Sequence, residues 1–139
     1  MKHFLSIPVL VCLLGCSTAA GQPATQQYVA SGQEPSTLLI EASSMDFYQH
    51  TSKSIQFRSV RLGYLLTPES EKQFLICGEF LPVEDGANGA WSRFATIRTD
   101  GYEQWLGAQA TGICDQASIV WEESQEDLSG RLKSAFDAL

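Results

Sequence analysis

The sequence predicts an α+β domain, in which an antiparallel sheet of about four strands has one helix before it and one helix after it. Three observations support this prediction. Apolar residues recur at helical spacing over residues 35–50, and they do so again over residues 124–139. Most of residues 55–81 instead alternate between apolar and polar side chains, which is the period of a strand. Because both helical segments have an apolar stripe, we expect them to pack on one face of the sheet.

The N-terminal helix is predicted over residues 35–50, with the sequence PSTLLIEASSMDFYQH. Pro35 suits the first helical turn, because a backbone N–H would have no helical partner there. Leu38, Ala42 and Met45 recur at the spacing of one helix face, and two adjacent serines weaken this pattern. The apolar stripe is broadened by Leu39, Ile40, Phe47 and Tyr48.

Two strands are predicted over residues 55–66 and 72–81, joined by a turn that contains Pro68. A short turn with proline between two alternating segments is typical of an antiparallel hairpin. In the first strand, one face is predicted to carry Val60, Leu62, Tyr64 and Leu66, and the other Ser59, Arg61 and Gly63. In the second strand, one face is predicted to carry Phe74, Ile76, Gly78 and Phe80, and the other Leu75, Cys77, Glu79 and Leu81.

The rest of the sheet is predicted from shorter segments. Residues 82–90 indicate a loop rich in glycine and acidic residues, and residues 91–99 indicate a third strand. Residues 102–112 are ambiguous and allow a short strand that ends near Leu106. A last strand is predicted over residues 117–121.

The C-terminal helix is predicted to begin near Ser124, which forms with Asp127 a pattern similar to a capping box. Acidic residues cluster at its start, and Arg131 and Lys133 come later, an order that suits the helix dipole. One face is predicted to carry Leu128, Leu132, Ala135, Phe136 and Leu139.

The beginning of the chain indicates a secreted protein. A short basic start precedes the apolar run FLSIPVLVCLLG over residues 4–15, which is the pattern of a secretory signal peptide. This run is shorter than the about 20 apolar residues that a membrane-spanning helix needs. Residues 13–16, LLGC, come at the end of the run and resemble the lipobox of bacterial lipoproteins.

This resemblance implies that Cys16 carries a diacylglyceryl group, that the signal peptide is removed before it, and that the protein is anchored to a membrane. Several acyl chains give stable anchoring, since each buried methylene contributes about 0.8 kcal/mol. In Gram-negative lipoproteins an aspartate after the cysteine favours the inner membrane, so Ser17 implies the outer membrane, with the domain in the periplasm. The alternative is a plain signal peptide cut after STAAG, which would remove Cys16.

The expected organisation follows from these observations. A signal peptide covers residues 1–15, and the lipidated cysteine with a flexible tether covers residues 16–33. The tether is small and polar, so it cannot bury enough surface to offset its ordering entropy. A single globular domain is expected over residues 34–139.

Four cysteines would permit two disulfides. If Cys12 leaves with the signal peptide and Cys16 carries the lipid, only Cys77 and Cys114 remain, and an oxidising compartment favours a bridge between them. Two cysteines and His50 are too few ligands for a zinc site. We therefore expect one disulfide, no metal and no cofactor.

The chain has 139 residues and a formal charge of −7, a size that suits one small domain. An acidic surface argues against binding to nucleic acid and against an electrostatic attraction to anionic lipid headgroups. It is compatible with a cationic partner, although a solvated acidic surface is the simpler interpretation.

Three segments, SIQFRSV over residues 54–60, CGE over residues 77–79 and GAWSRF over residues 89–94, occur in this order. They resemble the SAxFRxV segment, the CGEVN strand and the glycine-rich turn before an aromatic strand of a group of small secreted bacterial proteins. The resemblance covers roughly residues 40–97. It implies a shared fold unit and no particular activity, since that group has no settled function.

Glu79 is the leading candidate for a functional side chain. It lies on a strand with apolar neighbours, where a carboxylate needs a partner. Arg58, Arg61 or Arg93 on adjacent strands can supply one, and a structural ion pair is the simplest interpretation. Glu79, Arg58, Arg93 and Trp91 are the predicted binding residues, and no second group is visible that would make Glu79 a catalytic acid.

The remaining candidates have simple structural interpretations. Glu84, Asp85 and Asn88 offer oxygen ligands for calcium, but their spacing does not follow a known calcium loop, so a solvated turn is expected. His50 is expected to cap a helix end, because it lies at the end of the predicted helix. No nucleophile lies in a recognisable setting such as GxSxG, so a catalytic triad is not expected. The three tryptophans are expected to contribute to the core of the sheet.

These observations favour a non-enzymatic, lipid-anchored envelope protein whose domain binds or helps to assemble other envelope components. One alternative is a periplasmic inhibitor of a cationic enzyme such as lysozyme, which charge and location alone support. The other alternative is a small hydrolase that uses Glu79.

Overall fold

The computed structural model describes residues 32–51, 54–83, 89–124 and 126–139. Within these ranges, five strands form one antiparallel sheet in the order β4-β3-β2-β1-β5, where about four strands were expected. The predicted α+β class, with an N-terminal and a C-terminal helix, is confirmed. The elements in chain order are α1 (Pro35–His50), β1 (Ile55–Leu66), β2 (Lys72–Pro82), β3 (Ser92–Arg98), β4 (Tyr102–Leu106), α2 (Gly107–Cys114), β5 (Val120–Trp121) and α3 (Ser129–Asp137).

Consecutive hairpins build most of the sheet, so β1 to β4 are neighbours in the sequence and in the sheet. The predicted turn between β1 and β2 is present, and the Ser70 N–H donates to the Thr67 carbonyl oxygen at 2.9 Å. After β4 the chain passes through α2 to the opposite edge of the sheet. There β5 pairs with Gly63 and Tyr64 of β1.

The first face of the sheet is covered by α1 and α3 and holds the larger core cluster. Phe47 of α1 is fully buried, and the ring centroids of Phe57, Phe80 and Phe94 lie 5.1, 5.1 and 5.2 Å from its own. Burial of one such side chain contributes about 1.5–3 kcal/mol to folding. Further buried members of this cluster are Leu39, Ile40, Ile55, Val60, Ile76, Leu128, Leu132 and Phe136.

The helices α1 and α3 also contact each other, although all five strands lie between them along the chain. Arg131 of α3 donates to the Thr37 hydroxyl at 3.1 Å and to the Ser36 hydroxyl at 3.4 Å. The rings of Tyr48 and Phe136 meet edge to face, with centroids 6.2 Å apart. The prediction that both helices pack on one sheet face is confirmed.

The buried side of α1 differs from the predicted one. Met45 is 43% exposed and Leu38 is only partly buried, whereas Ser43 is fully buried. Hydrogen bonds explain this difference: the Thr96 hydroxyl donates to Ser43 Oγ at 3.0 Å, and the Ser43 hydroxyl donates to Gln104 Oε1 at 3.3 Å. Because its hydroxyl is satisfied by these partners, a serine can occupy a core position.

The second face of the sheet carries a smaller cluster and α2, a helix that the sequence did not predict. Cys77 and Cys114 form the predicted disulfide, with their Cα atoms 6.0 Å apart. This bridge ties the C-terminal end of α2 to the central strand β2. The buried members of the cluster are Leu75, Cys77, Ala95, Ala110, Cys114 and Ile119.

Two predicted boundaries are wrong. The strand β5 contains two residues instead of five, because the preceding residues turn and the Ile119 N–H donates to the Gln116 carbonyl oxygen at 3.2 Å. The helix α3 begins at Ser129 and not near Ser124, so the predicted capping box does not form. Asp127 instead accepts a hydrogen bond from the Ser129 N–H at 2.9 Å, which satisfies a donor at the start of the helix.

Candidate functional site

Strand register places three charged side chains in a row on the second face of the sheet. Arg58 of β1 lies opposite Glu79 of β2, and Glu79 lies opposite Arg93 of β3. Because directly opposite residues of antiparallel strands share a face, these three side chains are neighbours. We call Arg58, Glu79 and Arg93 the arginine row. Their side chains are 49%, 29% and 43% exposed, so the row is accessible to a partner.

Arg58 makes the closest contacts of the arginine row. Its Nε donates to Glu79 Oε2 at 2.8 Å and its Nη2 to Oε1 at 3.3 Å, so the guanidinium binds the carboxylate in a bidentate geometry. The same guanidinium lies 4.2 Å from the ring centroid of Trp91. The expected ion pair of Glu79 is therefore present, and Trp91 stacks on Arg58. An exposed pair of this kind contributes only about 0–1 kcal/mol to stability.

Arg93, at the other end of the row, pairs with a carboxylate that follows α2. Its Nη1 donates to Asp115 Oδ1 at 2.9 Å. The disulfide holds the end of α2 against the sheet, which places Asp115 within reach. Of the three arginines considered as partners of Glu79, Arg58 forms the pair, and Arg93 acts on Glu79 only by its charge.

The protonation of Glu79 follows from these contacts. The hydrogen bond from Arg58 is the main cause that lowers the pKa of Glu79, and the charges of Arg58 and Arg93 add to it, while burial acts in the opposite direction. A general acid at neutral pH needs a raised pKa. Glu79 is therefore an ionised acceptor, arranged for an ion pair and not for proton donation.

A β-bulge at Ser59 brings Arg61 to the same face as the arginine row. Arg58 lies opposite Glu79, whereas Arg61 lies opposite Cys77, so the register shifts between the two arginines. Glu79 and Cys77 are two residues apart on β2 and share a face. Arg58 and Arg61 consequently share it too, although three residues separate their positions. Ser59 is the extra residue and has a left-handed φ of 54°.

The bulge is visible in the sequence as a shift in the apolar alternation. Ile55 and Phe57 contribute to the core at odd positions, and Val60 and Leu62 do so at even positions. The alternation therefore changes phase by one residue between them, which is the sequence sign of a bulge. The sequence prediction continued a single period and placed Ser59 on one face with Arg61.

Arg61 stacks on a tryptophan of the neighbouring edge strand. Its guanidinium lies 4.2 Å from the ring centroid of Trp121. Trp121 can lie over β1 because Gly63 has no side chain: a Cβ there would be 2.9 Å from Trp121 Cε3 and 2.9 Å from Ile119 Cγ2. The sequence did not identify this stack, because it depends on the pairing of β5 with β1 across a long separation.

A cavity of about 420 Å³ lies between Arg61 and Arg93, above the disulfide. We call it the Arg61 cavity. Glu79 and Asp127 also line it, so the cavity is lined by both arginines and acidic residues. This volume suits a small ligand or one group of a larger one.

Asp127 is held in place by the start of α3 and by the bulge. Its Oδ1 accepts hydrogen bonds from the hydroxyl of Ser129, from the Ser129 N–H at 2.9 Å and from the Val60 N–H at 3.2 Å. The Ser129 hydroxyl is the main cause that lowers the pKa of Asp127, against an opposing effect of burial. The carboxylate is therefore ionised and fixed. The sequence placed Asp127 in a helix cap and missed its place in the cavity.

A second and larger cavity, of about 590 Å³, lies at the edge of the sheet beside β5. Arg61 lines this cavity as well, so it stands at the junction of the two. The acidic residues around this larger cavity are Glu34, Glu122, Glu123 and Glu126.

The other predicted candidates lie apart from this face or outside the described residues. His50 ends α1, and its Nδ1 lies 3.0 Å from the Asp46 carbonyl oxygen, as expected for a residue at a helix end. Cys16 and the loop residues Glu84, Asp85 and Asn88 lie outside the described residues. In the described ranges, no group of three or more metal-ligating side chains is present. No helix of those ranges is long and apolar enough to span a membrane.

Comparison with known proteins gives no match: no family model, no curated protein and no solved structure is similar to this chain. The resemblances to bacterial lipoproteins and to small secreted proteins therefore stay predictions from short motifs.

Proposed function

We propose that the protein is a lipid-anchored component of the bacterial cell envelope, and that its domain binds another envelope component through the arginine row. Cys16 carries the lipid, and the tether lets the domain reach its partner. The observation that supports a binding role is the arginine row itself: ordered, exposed guanidinium groups, one of them stacked on Trp91.

The energetics of the arginine row support a role outside folding. Exposed ion pairs contribute little to stability, so Arg58 and Arg93 are poorly explained as structural residues. Arginine and tryptophan are enriched among the residues that dominate binding interfaces. Stacking on Trp91 and the fork to Glu79 fix the rotamer of Arg58, which reduces the entropy that binding would cost.

The charge distribution supports the same proposal. The chain has a formal charge of −7, yet three of its five arginines, Arg58, Arg61 and Arg93, lie on this one face. Glu79 and Asp115 neutralise two of them in the free protein. A partner with both acidic and basic groups can exchange ion pairs with this face, which favours specificity over general electrostatic attraction.

The lipid anchor is tested with Cys16→Ser in the full-length protein. We expect the wild type in the outer-membrane fraction, and we expect the variant to lack the acyl group and to leave that fraction. Mass spectrometry of the mature wild type should show an acylated N-terminal cysteine. A free Cys16 thiol, or a wild type that fractionates with the soluble proteins, would contradict the anchor.

The binding face is tested by photo-crosslinking in the native host. A photoreactive residue at Gln56, which precedes the arginine row on β1, should give a discrete adduct that becomes weaker in the Arg58→Gln background. The same residue at Ser134, which is exposed on α3, is the matched control and should not give that adduct. Equal adducts at both positions, or an adduct that Arg58→Gln leaves unchanged, would refute binding through this face.

A second candidate function, inhibition of a cationic enzyme, is favoured by the four glutamates around the larger cavity, which outnumber its two arginines, Arg61 and Arg131. A basic side chain of the enzyme would enter this cavity. Calorimetric titration with lysozyme at low salt tests it directly, and Glu122→Gln should weaken the affinity while Glu103→Gln, exposed on β4, should not. Absence of binding at low salt removes this candidate.

A further inference from the structure

We propose that the Arg61 cavity binds a carboxylate group, and that Arg61 is the residue that receives it. The inference rests on the proposed binding function and names the chemical class of the ligand. It assigns a role to Arg61 and Asp127, which line this cavity, and to Trp121, on which Arg61 stacks.

The first argument is the state of the Arg61 guanidinium. Arg58 and Arg93 each donate to a carboxylate, and Arg131 donates to two hydroxyls. Among the described residues, Arg61 has only the stack on Trp121 and no hydrogen-bond acceptor. A guanidinium presents five N–H donors in a planar fork that matches the two oxygens of a carboxylate.

The second argument is that the guanidinium is positioned before a ligand arrives. Stacking on Trp121 covers one face of the guanidinium and leaves its N–H edge available. The indole is itself fixed, because it packs against the backbone of Gly63, where no Cβ would fit. Less side-chain entropy is therefore lost on binding than for a free arginine.

The third argument concerns which anion suits the cavity. Glu79 and Asp127 are ionised acceptors on its wall, so they repel a dianion such as phosphate. A monoanionic carboxylate with neighbouring O–H or N–H groups can donate to these acceptors while Arg61 binds its oxygens. Two common sources have this chemistry, the C-terminus of a peptide and an acidic sugar.

The test is a titration of the full-length protein in detergent micelles, monitored by the indole N–H resonance of Trp121. The probes are N-acetyl-alanyl-alanine, with its C-terminal amide as control, and methyl glucuronide, with neutral methyl glucoside as control. We expect a saturable shift with a carboxylate probe and none with its control. The first pair reports a peptide terminus and the second pair an acidic sugar.

The variants separate recognition from charge. Arg61→Gln should weaken binding about 10- to 100-fold, the range for a lost hydrogen-bonded ion pair. Arg61→Lys keeps the charge but loses the fork, so it should also weaken binding. Lys133→Gln, on α3 and paired only with Asp137 among the described residues, removes the same charge and should bind like the wild type.

Several outcomes would overturn the inference. These are saturable binding that Arg61→Gln leaves unchanged, equal shifts with a neutral control, tighter binding of inorganic phosphate than of either carboxylate, and no binding of either carboxylate probe. Its failure is distinguishable from failure of the proposed function. If the Gln56 adduct depends on Arg58 while no carboxylate binds, only the present inference fails.

Discussion

Loss of the Cys77–Cys114 disulfide should destabilise the domain strongly and release α2 before the rest of the structure. The perturbation is the double variant Cys77→Ala/Cys114→Ala, or reduction of the wild type. The bridge closes a loop across 37 residues of sequence. In the chain-entropy model a loop of this length stabilises the folded state by about 4 kcal/mol, a large part of the stability of a small domain.

The local part of this prediction follows from the packing of α2. Only Ala110 and Cys114 of this helix are buried, whereas six residues of α1 are buried. Without the bridge, α2 has little apolar contact to hold it on the sheet. Amide hydrogen exchange should therefore accelerate first in α2, while the amides of α1 stay protected at mild denaturant.

The assay is urea unfolding followed by tryptophan fluorescence, with hydrogen exchange as the local readout. Reductant should lower the unfolding free energy of the wild type by about 4 kcal/mol and leave the double variant unchanged, since the variant has no bridge to lose. A decrease below about 1 kcal/mol, or equal protection of α1 and α2 after reduction, would refute the reasoning.

Three further predictions concern the core, the sheet and pH. Phe47→Ala removes the centre of the aromatic cluster and should reduce the unfolding free energy by about 3–5 kcal/mol in urea denaturation; a loss below about 1 kcal/mol would contradict its central position. Gly78→Ala should destabilise by about 1–3 kcal/mol, because a Cβ there lies 2.7 Å from Val60 Cγ2, while Gly101→Ala, with open space around it, should be nearly neutral. The lowered pKa of Asp127 means that its contribution is complete above the ordinary carboxyl range and is lost as pH falls through the folded-state pKa. Asp127→Asn should accordingly reduce the difference in stability between pH 6 and pH 3, measured by thermal unfolding. An unchanged difference would show that other carboxylates cause the pH dependence of the stability.

Local sequence patterns predicted the parts of the fold that local forces determine. The bounds of α1, the hairpin of β1 and β2, and the short strand ending at Leu106 all follow from periodicity and turn residues. The helix α2 could not be predicted in this way. Its sequence GAQATGIC has two glycines and no apolar stripe, and the disulfide at Cys114 fixes it on the sheet. A tertiary bond, and not helix propensity, therefore explains this element.

The candidate site was also predictable only where it depends on local sequence patterns. An ion pair between Glu79 and an arginine of a neighbouring strand could be predicted from the alternation of the two strands. The partner could not be chosen, because the bulge at Ser59 sets which arginine lies opposite. The stack of Arg61 on Trp121 depends on the edge position of β5, which no local pattern encodes.

The contact between α1 and α3 has a consequence for how the chain reaches its native state. Arg131 and Ser36 are 95 positions apart, yet they meet on the face that buries Phe47. In most small proteins helices supply short-range contacts that form early, whereas here helix docking is among the longest-range events of the fold. A chain that emerges from its N-terminus can pack Phe47 against the sheet, but the core on this face stays incomplete until Leu128, Leu132 and Phe136 have followed. The domain should thus complete its core only when nearly the whole chain is available, and truncation before α3 should yield an aggregation-prone chain and not a smaller stable domain.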